Sequence, residues 1–347
     1  MSAFATGDSS VGRVIVALCG GVGAARMLAG LSSVIAPEEI TAVVNTGDDT
    51  IMHGLHVSPD LDTVTYTLAG AINPTSGWGL GGETWSAMRE LRELSHGRLG
   101  WFNLGDRDLG THLYRTSRLD EGATLSQVTA EVAARWSVGV RIIPMSDDPV
   151  HTKVFVADGT DGEVELDFQE YFVKERHQVP VRNVELRGAD TATAAPGVLE
   201  AIASCDTIVI CPSNPVVSIG PVLATGGIGE AVAARRSSTV AVSPIVDGHA
   251  LKGPADRMLA ELGHEASVVG VARMWSRYSA TLVIDEADAG RAAEVEAEGM
   301  DVLICPTVMS DATKAADLAR NVLSRGSPRP ATHASTVPPR RNTLDRQ

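Results

Sequence analysis

The sequence predicts an α/β fold: a Rossmann-like, doubly wound, mostly parallel sheet carrying a small inserted α+β hairpin subdomain. Three observations carry that expectation. Short apolar runs rich in Val and Ile alternate with longer stretches of helical period, as in successive βαβ units. The first run passes directly into a glycine-rich turn and then a helical pattern. One stretch near the middle breaks this rhythm with strict apolar and polar alternation. The expected core comprises residues 12–145 and 190–325, the insertion residues 146–189, and a disordered tail residues 326–347.

In chain order, strands are expected at residues 13–18, 40–45, 207–211, 239–242, 267–271, 280–284 and 301–305. Their near-continuous Val and Ile suit strands buried on both faces. Helices are expected between them at residues 24–33, 86–94, 126–136, 197–204 and 311–323. Residues 151–157 and 163–173 alternate around a turn-like 158–162 and predict a hairpin. Residues 325–347 are rich in Pro, Ser, Thr and Arg and poor in large apolar side chains, so no packed structure is expected there. The sequence contains no internal repeat.

Among 347 residues, 43 Asp and Glu against 29 Lys and Arg leave a formal charge of −14. Such a chain is a poor match for nucleic acid, whose binding is driven by clustered cations that release counterions. A small phosphorylated substrate is compatible, because a few local donors and a metal bridge to carboxylates suffice. No run approaches the length of a membrane span, and residues 1–12 lack a signal pattern, so a cytoplasmic protein is expected. Cys19, Cys205, Cys211 and Cys305 stand singly, most in apolar runs, and read as small core residues rather than a disulfide or zinc framework.

The turn after the first strand reads Gly20-Gly21-Val22-Gly23-Ala24-Ala25-Arg26, a context in which backbone N–H groups approach a phosphate. It departs from the dinucleotide fingerprint, since Arg26 replaces the third Gly or Ala, and from the P-loop, since no Gly-Lys-Ser/Thr follows. A tight turn with no ligand is the alternative. The second strand ends at Thr46-Gly47-Asp48-Asp49, and Pro59-Asp60-Leu61-Asp62 follows. A ribose needs only one acid there, whereas four suit Mg²⁺, a hard ion that bridges carboxylates to phosphates. Some would then serve as helix caps, as Asp62 before residues 63–68 would.

Two further acidic clusters follow, Asp106-Arg107-Asp108 with His112 behind it, and Asp147-Asp148. Arg107 reads equally as a neutralised structural pair and as a phosphate fork, and His112 equally as a packing residue and as an acid or base. Loops expected after later strands carry Ser213, Asn214 and Ser218, then Ser243 and Lys252, where open α/β sheets bind ligands. Turn chemistry alone is the competing account of these residues. Trp78 and Trp85 lie in a glycine-rich segment, placed to stack on a planar heterocycle or to fold onto the core. Phe168 to Phe172 invite the same two readings, with core packing favoured.

Taken in order, GGVGAAR, VVNTGDD, SPDLDTVTYTLAG, GWGLGGETW, LGDRDLGTHL, PMSDDPV, FQEYF, PSNPVVSIGP, SPIV and LKGPA resemble the CofD/FbiA family over residues 14–311. These are the 2-phospho-L-lactate or phosphoenolpyruvate transferases of coenzyme F-420 biosynthesis. The resemblance implies transfer of a phospholactyl, phosphoenolpyruvyl or phosphoglyceryl group from a guanosine diphosphate-linked donor (lactyl-2-diphospho-5'-guanosine type) to the deazaflavin Fo. GMP is released, Mg²⁺ assists, and a homodimer is expected of the family. By similarity Asp48 and Asp62 are catalytic candidates; with Asp49 and Asp60 they are the metal candidates. Asp62, Asn103, Trp78 and Trp85 are expected at Fo. Gly20, Gly21, Gly23, Ser213, Asn214, Ser218 and Lys252 are expected at the donor's guanylate and phosphates. Some relatives have Gly at Ala24, and mycobacterial ones a basic residue near Gly81, which leaves the three-carbon acid undecided. Asp62→Asn should keep the fold and lose turnover. The rival readings are a YvcK-like nucleotide-binding regulator and a nicotinamide-dependent oxidoreductase, the latter opposed by the failed fingerprint.

Overall fold

The computed structural model describes residues 13–325 except 158, 160 and 161. The expected tail, residues 1–12 and most of the turn at 158–162 lie outside the described residues. The chain opens with β1 (Ile15–Cys19), α1 (Gly21–Ser32), β2 (Ile40–Val44), a small hairpin β3 (Thr50–Met52) and β4 (Leu55–Val57), and α2 (Pro59–Leu68). Helices α3 (Ser86–Leu94), α4 (Asp108–Asp120) and α5 (Leu125–Arg135) lead to β5 (Arg141–Pro144). Strands β6 (His151–Ala157), β7 (Glu163–Asp167) and β8 (Val181–Arg187) follow, then α6 (Val198–Ser204) and β9 (Thr207–Ile210). The last third holds α7 (Gly220–Ala224), α8 (Ile228–Ala234), β10 (Thr239–Val242), the short pair β11 (Ile245–Val246) and β12 (His249–Ala250), α9 (Ala255–Glu261) and α10 (Val268–Trp275). It closes with β13 (Thr281–Ile284), α11 (Ala292–Ala297), β14 (Asp301–Ile304) and α12 (Ala312–Arg325).

Seven strands form one sheet in the order β14-β13-β10-β9-β1-β2-β5, all pairs parallel. From β1 the chain winds outward through β2 and β5, returns to β9 on the other side of β1, and continues to β14. The direction of winding therefore reverses between β1 and β9, which makes their carboxyl ends the switch point where open α/β sheets bind ligands. Both faces are buried, as the apolar runs required. Val16 and Leu18 of β1 enter the core beneath α6, α8 and α10, while Ile15, Ala17 and Cys19 enter the core beneath α1, α2 and α12. Gly30 is what lets α12 lie against α1, since a Cβ there would fall 2.3 Å from the Ala315 carbonyl oxygen.

Three expectations are corrected. Residues 267–271 start a helix, α10, because the Ser267 hydroxyl accepts from the Val269 and Gly270 N–H groups at 3.2 Å each. A short, fully apolar run has no period to distinguish strand from helix, and here the cap decides. Residues 163–173 do not continue as one strand: β7 stops at Asp167, and residues 170–174 form a helical turn that buries Tyr171. β6 instead sits between β7 and β8 in a three-stranded antiparallel sheet. Finally, β5 was absent from the expected strands although it forms the edge of the main sheet; a four-residue run beginning with an exposed Arg141 carries little signal.

All four cysteines are buried and free, as expected for small core residues. Among the described residues no helix is long and apolar enough to cross a membrane.

Candidate active site

A cavity of about 810 Å³ lies over the carboxyl ends of the parallel strands. Its walls include Gly20, Gly21, Gly23, Asp48, Asp60, Asp62, Trp78, Trp85, Asn103, Ser213, Asn214, Ser218 and Lys252. Of the residues expected at the metal, Fo or the donor, Asp49 alone stands off this wall, on a much smaller recess that it shares with Asp48, Thr152 and Asp167.

β2 and the start of α2 bring the acids together. Asp48 follows β2, and Asp60 and Asp62 occupy the first turn of α2, whose cap position is Ser58; Asp62 is thus inside the helix and is not its cap. The Asn45 amide donates to Asp48 Oδ1 at 3.3 Å and to Asp60 Oδ2 at 2.9 Å, holding these two carboxylates on either side of one side chain. Ser58 donates to Asp49 Oδ2 at 2.6 Å, while Asp49 Oδ1 is buried with no partner. Burial raises the Asp48 carboxyl well above its ordinary range, and the neighbouring Asp60 and Asp49 charges push the same way. Burial also raises Asp49, against the Ser58 bond. Asp60 is pushed up to about 6 by burial, despite the bonds it accepts from Asn45 and the Gly21 N–H.

Asp62 has a different environment. Arg115 of α4, 3% exposed, places its guanidinium on both Asp62 oxygens, with Nη1 to Oδ2 at 3.1 Å. Burial opposes the Arg115 charge, but Asp62 overcomes it and holds that charge firmly. Arg115 Nη1 also lies 3.2 Å from His112 Nδ1. A guanidinium only donates, so Nδ1 accepts and the ring proton sits on Nε2, which faces Asp108 Oδ2 at 3.4 Å. Tyr66 in turn donates to Asp108 Oδ1 at 2.7 Å. Burial works against ionised Asp108, yet the His112 contact prevails and its carboxyl is held low. His112 is therefore buried in a polar network that orients Asp62.

The glycine turn also differs from expectation. The helix begins at Gly21 rather than Ala24, so Gly21 to Gly23 form its first turn, and the Gly21 N–H already meets the Asp60 carboxylate. A Cβ on Gly20 would fall 2.5 Å from Ser218 Cβ, and one on Gly23 2.1 Å from the Pro212 carbonyl oxygen. These glycines let the loop after β9 close against α1. Ser213 donates to the Gly20 carbonyl at 2.7 Å, and Asn214 Oδ1 accepts from the Val216 and Val217 N–H groups at 2.9 and 3.4 Å. Both side chains shape the loop while lining the cavity.

Trp78 and Trp85 are about half exposed and do not fold onto the core. With Trp101, Phe102, Phe168 and Phe172 they give the cavity an aromatic lining. Phe168 and Phe172 stack on each other at 5.6 Å, while Tyr171 between them is the core residue of that segment. Asn103 Oδ1 accepts from Arg92 at 2.8 Å. Asp106 caps α3 by accepting from the Ser86 and Ala87 N–H groups at 3.0 Å each, and Arg107 donates to the Gly81 carbonyl instead of pairing with its neighbours. Asp147 accepts from the Ser126 N–H at 2.7 Å and Asp148 from Thr193, so this pair is structural.

The profile of the family described as 2-phospho-L-lactate transferase CofD matches residues 15–322. The chain belongs to the CofD family. It is 48% identical over 315 residues to a phosphoenolpyruvate transferase of Kitasatospora aureofaciens, covering 89% of this chain and 97% of that one. It is 48% identical over 314 residues to one of Streptomyces griseus, covering 89% and 97%, and 42% identical over 316 residues to one of Mycolicibacterium smegmatis, covering 88% and 96%. Among solved structures, a UPF0052 family member from Bacillus halodurans superposes with a TM-score of 0.58 at 17% identity, over 90% of this chain and 99% of that one. That likeness concerns the fold alone. Membership in the CofD family makes the chain a transferase, and the regulator and oxidoreductase readings fall with it.

In this CofD-family chain sequence reasoning passed over Arg115, the counterion of Asp62. A signal was present: Asp108, His112 and Arg115 stand at i, i+4 and i+7, one face of one helix. It also treated Arg26 only as a departure from a fingerprint, although its side chain lines the cavity.

Proposed function

We propose that the chain acts in coenzyme F-420 biosynthesis, moving a phosphorylated three-carbon acid from a guanosine diphosphate-linked donor to the terminal ribityl hydroxyl of Fo and releasing GMP. The relatives' name favours an enolpyruvyl group as the acid. The observation that carries the reading is the chemical division of one cavity. An aromatic region with Trp85, Trp101 and Phe102 suits a planar heterocycle, buried carboxylates stand beside it, and the loops after β1 and β9 meet at the switch point.

The reaction is an in-line displacement at the phosphorus nearest the acid. A bond forms from the ribityl oxygen to phosphorus, the bond from that phosphorus to the bridging oxygen breaks, and the electron pair leaves with GMP. The hydroxyl's proton passes to a carboxylate. Asp48 and Asp60, raised by burial and free of cationic partners, are the acceptors of choice; Asp62, fixed by Arg115, is the positioning residue behind them.

The acids also fit a hard divalent ion. Asp49 keeps a buried oxygen without a partner, and no Lys or Arg pairs with Asp48, Asp49 or Asp60 among the described residues. No three His, Cys, Asp or Glu side chains there form a ready metal cage, which suits Mg²⁺ held by one or two carboxylates with substrate phosphates completing its shell. Two of Asp48, Asp49 and Asp60 would hold it, and its chemistry would be neutralisation of diphosphate charge.

The test is incubation with Mg²⁺, Fo and each guanylylated three-carbon acid, following GMP and the more anionic fluorescent product by chromatography and mass. Product with the enolpyruvyl donor is expected. No product from any donor, with no binding of Fo, would overturn the reading.

A further inference from the structure

Charge is distributed unevenly around the cavity. Asp48, Asp60, Asp62 and Asp108 come from the β2, α2 and α4 side. Arg26, on α1, and Lys252, before α9, are the only Arg or Lys side chains lining it among the described residues. Arg26 donates to the Met309 carbonyl at 3.0 Å, and Lys252 donates to the Ser76 carbonyl at 3.0 Å. Neither forms an ion pair among the described residues. Burial and the nearby Arg26 charge both lower the Lys252 ammonium, so the two cations feel each other. In a chain of charge −14, two neighbouring cations left without a carboxylate call for an anion that the protein does not supply.

We infer that Arg26 and Lys252 together clamp the phosphate of the departing nucleotide. The inference rests on the transfer reading above and adds Arg26, and its pairing with Lys252, as what receives the leaving group. In an in-line displacement the attacking and leaving oxygens lie on opposite sides of the phosphorus. The acids that take the acceptor's proton come from β2, α2 and α4, whereas the two cations come from α1 and the segment before α9, and these are the groups that meet the leaving phosphate. As the bridging bond breaks, its electron pair stays on the nucleotide phosphate, which gains one unit of negative charge beside the two cations. The hydroxyl's proton goes to one of the cavity's carboxylates, so charge and atoms balance. Donors placed where charge develops favour the transition state over the bound donor. Lys252 is also bonded across to Ser76, so the two segments bordering this end of the cavity are joined by the same side chain that would meet the phosphate.

The experiment measures binding of GMP and of guanosine, with thermal unfolding as a control, for the unaltered protein, Arg26→Gln, Lys252→Gln and Arg26→Lys. It adds steady-state transfer with Fo and the enolpyruvyl donor. Each Gln variant should weaken GMP about 10- to 100-fold, as expected for loss of a charge-assisted contact, with guanosine and unfolding temperature unchanged. Arg26→Lys should recover part of the affinity, and kcat should fall more than KM rises. Equal loss for GMP and guanosine, or no loss for either, overturns the clamp. Transfer by the unaltered protein with full rates in both Gln variants also overturns it and leaves the transfer reading standing. Absence of transfer with GMP binding still dependent on both cations overturns the transfer reading and leaves an anion clamp.

Discussion

Removing the charge of Asp62 tests whether the α2 to α4 ion pair is a structural element of the site. Asp62 and Arg115 are 5% and 3% exposed, and both carboxylate oxygens face the guanidinium. Asp62→Asn keeps the shape but leaves Arg115 charged in a buried position, where breaking one partner of such a pair costs about 3–5 kcal/mol. Asp49 lies near enough to favour the Arg115 charge, so the lower figure, about 3 kcal/mol, is the appropriate one. At roughly 2 °C per kcal/mol for a chain of this size, the unfolding midpoint should fall by about 6 °C. To the expectation, read from sequence alone, that Asp62→Asn keeps the fold and loses turnover, the ion pair adds a cost in stability. The assay is thermal unfolding by circular dichroism of the single variants Asp62→Asn and Arg115→Met and of the double variant. The double variant should lose less than the sum of the two single losses, because it leaves no unpaired buried charge. A midpoint for Asp62→Asn within about 1 °C of the unaltered protein would refute the argument.

Gly23→Ala places a Cβ 2.1 Å from the Pro212 carbonyl, so the loop after β9 must shift; a loss of about 1–3 kcal/mol is expected in a denaturant titration, and an unchanged midpoint would disprove the close contact. The Asp60 carboxyl is pushed up to about 6, above its unfolded value, so its stabilising protonated form is lost as pH rises between about 4 and 6. The metal-free protein should therefore lose stability on passing from pH 5 to 7, by about 1 kcal/mol from this group, and Asp60→Asn should flatten that slope; equal slopes would exclude Asp60 as the cause. Trp85→Ala should raise KM for Fo about tenfold through loss of ring contact, with kcat little changed. Steady-state rates at varied Fo check this, and an unchanged KM would place the acceptor elsewhere.

The sheet was largely legible because its strands are buried on both faces, and burial of that kind writes itself as uninterrupted Val and Ile in runs such as those of β1, β9 and β13. The same uniformity made residues 267–271 ambiguous, where only the Ser267 hydroxyl separates helix from strand. The acids were legible as a set, since four Asp so close after a strand exceed what capping requires. Their separate environments were not: whether a carboxylate meets an arginine, an amide or nothing depends on elements distant in the chain, as Asp62 and Arg115 are by 53 positions. The glycine turn shows the limit most sharply. Its sequence suits an approaching phosphate, yet in the fold the Gly21 N–H faces Asp60, and Gly20 and Gly23 serve the packing of the β9 loop. The helix terminus is thus already occupied by a carboxylate, which is why the proposed transfer assigns the phosphate charge to the cavity's two cations rather than to its glycines.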